Sequence, residues 1–256
     1  VHPADFYVGI HPDQWFGTAK EEIGFDVLTV DWSKEPSGDK TLAAEFKQVR
    51  WEKEVDSFGF PTYTPVYTPV SSSNLATGPD GRARLLFTPP TAGTYMLDVS
   101  GQGAHTQVLI WVGGSESAAW PDLPNQRLEL KADKDSYKAG DTAKIFIPNP
   151  FATNALALVT VERGIVSKAE VLTISGSGKE FALPLTDDDA PNVYVNVTIL
   201  GQGNDFRQGL VNIPVAPDAQ ELNVQVIPNP GEAGPRDNVT FDVIVTDNQG
   251  QPVEGE

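Results

Sequence analysis

The feature that most restricts this chain is a period-two alternation of apolar and polar residues, running nearly end to end and broken at short intervals by turn-forming residues. Ile23, Phe25 and Val27 alternate with Gly24 and Asp26, Ala83, Leu85 and Phe87 with Arg82 and Arg84, and Tyr95, Leu97 and Val99 with Thr94, Met96 and Asp98. The pattern recurs at Val108/Ile110/Val112, Ala143/Ile145/Ile147, Phe181/Leu183/Leu185, Val193/Val195/Val197/Ile199, Leu222/Val224/Val226 and Val239/Phe241/Val243/Val245. Side chains of a strand point to its two faces in turn, so each run can bury one face and leave the other in water. Asp-Gly, Ala-Gly and Pro-Asn punctuation between short runs predicts an all-β chain of antiparallel β-sandwiches. The 23 glycines and 21 prolines fit that reading, being well above the about 12% of average usage.

One segment resists the rule. Residues 41–58 hold no Gly or Pro, and Leu42, Phe46 and Val49 sit at helical spacing, which leaves helix and strand equally open. Val49 and Trp51 restart an alternation after Phe46, as a β-bulge there would produce. Further on, 60–73 carries a Tyr-Thr-Pro-Val tandem. It reads as a long exposed hairpin whose prolines protect a sheet edge, or as a docking strip for a partner's groove.

The 256 residues allow about two domains and part of a third. Two stretches look like joints, 113–125 (GGSESAAWPDLPN) and 215–220 (VAPDAQ). The expected organisation is a sandwich over 1–114, a linker over 115–125, a second sandwich over 126–217 and the truncated start of a third over 218–256. An internal repeat supports these cuts, since each segment opens with a strand, a turn-rich patch and an alternating strand. The separations Val8 to Phe25, Leu130 to Ile145 and Val224 to Phe241 agree to within two residues. Residues 222–256 are too few for a sandwich and are expected to pack against the second one or a neighbour, because otherwise an apolar face stays in water.

The chain lacks cysteine, which excludes disulfides, thiolate metal sites and cysteine nucleophiles. With 35 acidic against 18 basic residues and a net charge of -17, it lacks the cations that bind polyanions, so neither nucleic acid nor membrane contact is expected. No apolar run approaches the ~18–20 residues of a membrane span. The missing initial Met reads as processing or excision, which would have removed any export signal.

Catalytic chemistry finds little to stand on. The histidines are His2, His11 and His105, the first two in proline-bearing loops and the third in a hairpin turn, and no G-x-S-x-G element accompanies them. Calcium is the better metal candidate, at Asp133, Asp135 and Asp141 or at Asp187, Asp188 and Asp189, but neither has the spacing of a calcium loop, and a solvated loop is the expected state. Trp15, Trp32, Trp51, Trp111 and Trp120 are read as core or interface residues, with a sugar-stacking platform as the alternative. Glu162-Arg163, closing an apolar run, is expected to form an internal ion pair or a junction contact.

Several motifs together resemble a known family. Val49-Arg-Trp51-Glu52, Asp80-Gly81, Pro89-Pro90-Thr-Ala-Gly93-Thr-Tyr95 and Ile110-Trp111-Val112 resemble a macroglobulin-like domain of bacterial alpha-2-macroglobulins. Asp135-Ser-Tyr137-Lys-Ala-Gly140-Asp141, Val161-Glu162-Arg163-Gly164 and Pro191-Asn192-Val193-Tyr194 are similar to the next such domain, and Gly250-Gln-Pro252-Val253 to the opening of another. The resemblance implies tandem seven-stranded sandwiches of immunoglobulin or fibronectin type, and so a strand over 41–58. It implies a parent that traps proteases: a protease cuts an exposed bait segment, the array collapses around it, and in many members a Cys–Gln thioester captures it.

Without Cys this chain holds no thioester, and nothing in it reads as bait, so the resemblance places it just upstream of the bait as mechanical scaffold. It implies no enzyme activity and no catalytic, cofactor or metal residue. The implied partners are the parent's other domains, with a target protease met only through the full-length protein. The implied location is periplasmic, cell-envelope-associated or secreted. The alternatives from the residues themselves are a cell-surface adhesive or carbohydrate-binding array and a β-rich hydrolase.

Overall fold

In the computed structural model, residues 4–55, 57–59, 61–121, 123–203 and 205–253 are described; His2 lies outside them. The first sandwich contains β1 (Tyr7–Pro12), β2 (Phe16–Thr18), β3 (Ile23–Val30), β4 (Thr41–Val55), β5 (Pro61–Ala76), β6 (Arg82–Phe87), β7 (Gly93–Gly101) and β8 (Ala104–Gly113). They form one sheet in the order β1-β3-β6 and another in the order β2-β8-β7-β4-β5. Among the described residues this makes eight strands where seven were expected. The extra one is β2, which runs parallel to the end of β8 because the chain crosses between the sheets there.

Between the sheets the inward residues interlock through rings: Phe46 stacks on Phe87 at 4.1 Å, and Phe25 and Tyr95 flank the pair at 5.3 and 5.4 Å. The Tyr95 hydroxyl, at the end of this row, donates to the Thr91 carbonyl at 2.9 Å. On the outside of the larger sheet Asp98 gathers Lys47, Gln107 and His105. Burial raises the pKa of its carboxyl, but the hydrogen bonds from Gln107 and Lys47 outweigh burial and hold it below the ordinary value.

Residues 41–55 are a strand, β4. A register shift lies at Phe46/Lys47 as the sequence suggested, but the additional residue, Val70, is on β5. Against β7 the register of β4 is continuous, so Phe46 and Val49 face opposite sides of the sheet. Both are buried because both sides are covered at that end. Beyond Val49, residues 50–55 pair with β5 and not with β7, and the two strands continue as a ribbon past the sheet. Pro61, Pro65 and Pro69 occupy every fourth position of β5, opposite Val55, Trp51 and Lys47. With no N–H to give β4, they leave its pairing to the residues between them and strip donors from the free edge. The tandem is an exposed hairpin strand with a guarded edge, as the first of its two readings had it.

The second sandwich contains β9 (Lys131–Ala132), β10 (Thr142–Pro148), β11 (Ala155–Arg163), β12 (Ile165–Ile174), β13 (Gly178–Pro184), β14 (Asn192–Leu200) and β15 (Phe206–Pro214). The sheets are β12-β11-β14-β15 and β13-β10-β9. Its core takes the inward residues of both, among them Ala157, Val159, Ile145, Ile147, Val195 and Ile199. The exposed edge β12 bulges at Ser167 and turns Lys168 inward over the Phe181 ring at 5.1 Å, which disfavours a further strand. Glu162 and Arg163 do not meet as anticipated: Glu162 accepts from the Thr160 hydroxyl, while Arg163 donates to the Asp188 carbonyl at 2.7 Å. Neighbours in a strand point to opposite faces, which separates them.

The chain ends in a hairpin of β16 (Leu222–Asn229) and β17 (Thr240–Asp247). Leu222, Val224, Val226, Phe241 and Val243 share one face and are 54–60% exposed. Among the described residues, the expected packing of this face against the second sandwich is therefore absent. The two are linked by the turn at Asp218–Gln220, with Lys138 on Asp218 at 3.1 Å and Gln220 on the Asp187 carbonyl at 3.4 Å.

Candidate functional site

The most elaborate polar and aromatic construction in the chain lies where the two sandwiches meet. One row crosses the larger sheet of the first sandwich on its outer side: Phe16, Trp111, Thr94, Val49 and Tyr67, directly paired from β2 to β5. An outward row is ordinarily polar; here Trp120 from the linker and Phe146 from β10 cover its Phe16–Trp111 end. Trp120 lies 5.4 Å from both Trp111 and Phe146, and Phe16 5.6 Å from Phe146. All four rings are buried.

The backbones come close around these rings because glycines allow it. A Cβ at Gly113 would sit 2.9 Å from the Phe146 ring, and one at Gly178 2.5 Å from it. Polar bonds close the gap. The Gly114 N–H donates to the Ser177 hydroxyl at 2.7 Å, while the Ser177 hydroxyl and N–H both donate to the Gly114 carbonyl. The Trp120 indole N–H donates to the Ser177 carbonyl at 2.7 Å, and the Ala92 N–H to the Glu116 carboxylate at 3.1 Å. Trp15 N–H reaches the Asp133 carbonyl at 3.3 Å, and the Lys131 ammonium stands 5.8 and 6.0 Å from the Trp15 and Trp111 rings.

Beside the joint opens a cleft of about 470 Å³ lined by Asp13, Glu21, Glu22, Lys144, Phe146 and Glu180. Arg84 hydrogen-bonds Asp13 and holds its carboxyl below the ordinary value. Among the described residues its lining includes no histidine.

The Thr94 hydroxyl is buried in the covered row without a hydrogen-bond partner. Thr94→Val, of nearly the same shape, removes a desolvated polar group and is expected to stabilise the first sandwich by about 1 kcal/mol. Urea denaturation followed by circular dichroism measures it. A lower midpoint would mean that the hydroxyl is satisfied.

The other sequence candidates disperse. Trp111 and Trp120 are joint residues, Trp15 flanks them, Trp51 lies on the ribbon and Trp32 is 73% exposed, so the five do not form one platform. Asp133 accepts from Tyr137 and Lys144, Asp141 from the Lys138 N–H and Asp189 from Thr186. Among the described residues no group of three or more His, Asp or Glu could hold a metal ion. Phe146 and Ser177 were not singled out from the sequence. The available signals were an aromatic at an outward position between Ile145 and Ile147, and a tryptophan inside an otherwise small and polar linker.

These features define a class: a tandem of antiparallel β-sandwiches joined through a buried aromatic contact. Residues 128–251 match the family model of the alpha-2-macroglobulin bait region domain. Over 99% of its length the chain is 24% identical to an alpha-2-macroglobulin homolog of Nostoc sp. (strain PCC 7120), of which it spans 14%. Over 62% of its length it is 24% identical to the alpha-2-macroglobulin of Escherichia coli K12, of which it spans 10%. The native conformation of the E. coli protein aligns with 98% of this chain and 18% of that one, at 20% identity and a TM-score of 0.39. The matched model and both relatives support a member of the bacterial alpha-2-macroglobulin family. No bait-like stretch was legible in the sequence, yet the matched model carries the bait region in its description and extends from the second sandwich through the hairpin.

Proposed function

We propose that this chain is a scaffold segment of an alpha-2-macroglobulin-like protease-trapping inhibitor. It supplies sandwiches over 1–114 and 126–217, a linker over 115–125 and the opening strands of a third module over 218–256. Contacts between modules hold the uncleaved state and rearrange after bait cleavage elsewhere in the protein. The segment is not an enzyme; its partners are other domains of the same protein, and it meets a protease only through the full-length inhibitor. It acts outside the cytoplasm, in the periplasm, at the cell envelope or secreted.

The observation that carries this reading is the joint, where two outward-facing rings of the first sandwich, Phe16 and Trp111, are committed to its neighbour instead of to a ligand. The open apolar face of the β16–β17 hairpin supports it, as a surface that further strands of the same module would cover. The test is a protease assay. The full-length protein should shield a protease from a large inhibitor while leaving it active on small substrates, and the isolated chain should neither trap nor slow it. Stoichiometric inhibition by the isolated chain, or a full-length protein that shields nothing, would overturn the proposal.

A further inference from the structure

We infer that the joint between the two sandwiches is a fixed weld, so that they move as one body with Trp120 as the locking residue. Sandwiches strung on a linker ordinarily swing unless the contact between them is large and apolar. Eleven linker residues, at ~3.3 Å each when extended, are ample for swinging. Here that freedom is removed at successive points. Glu116 is tied to Ala92, Trp120 sits in the ring cluster, and the indole N–H holds the Ser177 carbonyl.

The cluster draws on three separate pieces of chain: Phe16 and Trp111 from the first sandwich, Trp120 from the linker and Phe146 from the second. Turning one sandwich against the other separates rings that are all buried, and breaks the paired bonds between Gly114 and Ser177, whose side chain is also buried. Sliding is blocked as well. Phe146, backed by Gly178 of its own sandwich, meets Gly113 of the first at a spacing with no room even for a Cβ, and Gly176 approaches the Gly114 carbonyl equally closely. Close-packed contacts of this kind are not continuously deformable; they hold or they separate.

The connection after Pro214 is built differently. Val215 still lies in the second core and the Ala216 N–H is bonded to the Tyr137 carbonyl, but beyond them the contacts at Asp218 and Gln220 are exposed and polar, and the short turn buries no residue. Resting on the scaffold reading, the weld restricts where an inhibitor of this build can rearrange: the movement excludes the first joint and falls on connections such as 217–221.

The chain has no cysteine, so labels can be placed at will. Leu86 and Leu200 are exposed, one on each sandwich. With nitroxides at Leu86→Cys and Leu200→Cys, double electron–electron resonance on the whole chain should give one narrow distance distribution. Trp120→Ala should broaden it at least twofold, with circular dichroism showing that both sandwiches remain folded. Trp120→Phe keeps a ring but loses the bond to Ser177 and should fall between the two, which keeps the test alive should the alanine variant not fold. A broad distribution in the unsubstituted chain, or one that Trp120→Ala and Trp120→Phe both leave unchanged, overturns the weld. Failure of the weld with shielding intact in the full-length protein leaves the inhibitor reading standing; a narrow distribution with no shielding removes that reading alone.

Discussion

Asp133→Ala is expected to destabilise the second sandwich by about 2–5 kcal/mol, far more than an ordinary surface carboxylate would. Asp133 is only 6% exposed, and one carboxylate oxygen accepts from both the Tyr137 hydroxyl at 2.7 Å and the Lys144 N–H at 2.8 Å. Removing it strands two buried donors, each costing about 1–3 kcal/mol when unsatisfied. The site also fixes backbone on both sides. The Asp133 carbonyl receives Trp15 from the first sandwich, and Tyr137 is bonded through its main chain to Pro214 and Ala216 at the end of the second. Burial, and then the bond to Asp133, push the Tyr137 phenol well above its ordinary range, so it stays a neutral donor. Tyr137→Phe removes one donor and leaves the carboxylate bonded to Lys144, so its cost should be the smaller, about 1–2 kcal/mol. The double variant should lose less than the sum of the two, since they share one bond. Urea denaturation of the three variants measures this; strict additivity, or a loss below 1 kcal/mol for Asp133→Ala, would contradict it.

How far the sequence could be read depended on whether a residue's environment came from its own strand or from a distant one. Ile23, Phe25 and Val27, or Val193, Val195, Val197 and Ile199, are buried by the period of their own strands, and which face they bury needs no further information. Residues 41–58 were ambiguous for a physical reason. β4 buries Leu42, Ala44 and Phe46 on its core side and then Val49 on the other, where the row containing Thr94 and Trp111 is covered. A strand that changes its buried face in mid-course imitates helical spacing. The joint escaped notice for a related reason: Trp120, Phe146 and Ser177 are related through folded space, and no local period links them to Trp111. Charged residues were the least legible. Glu162 and Arg163 are adjacent in sequence but part company: Glu162 accepts from Thr160 on its own strand, while Arg163 reaches the carbonyl of Asp188 in a distant turn, which neither residue's neighbours in sequence announce.

Phe46→Ala should cost the first sandwich about 3–5 kcal/mol, the range for removing a buried ring whose surroundings cannot collapse. Phe46 lies at the centre of the ring row, 4.1 Å from Phe87 and nearly parallel to it, and 5.3 Å from Phe25. Such pairs add about 0.5–1.5 kcal/mol beyond buried area. Phe46→Leu keeps most of the volume and should therefore cost clearly less, isolating the ring contribution. The register shift beside Phe46 leaves the strand little freedom to close a cavity, because β4 is paired on both sides there. If the two sandwiches are welded, the loss should not stay local. Fluorescence from Trp111 and Trp120 at the joint and circular dichroism from the whole chain should shift to the same lower midpoint. In a Trp120→Ala background the same substitution should lower the first sandwich's transition and leave the second sandwich's in place. A Phe46→Ala variant whose two signals separate with Trp120 intact would show that the joint does not couple the sandwiches, whatever its cost to the first.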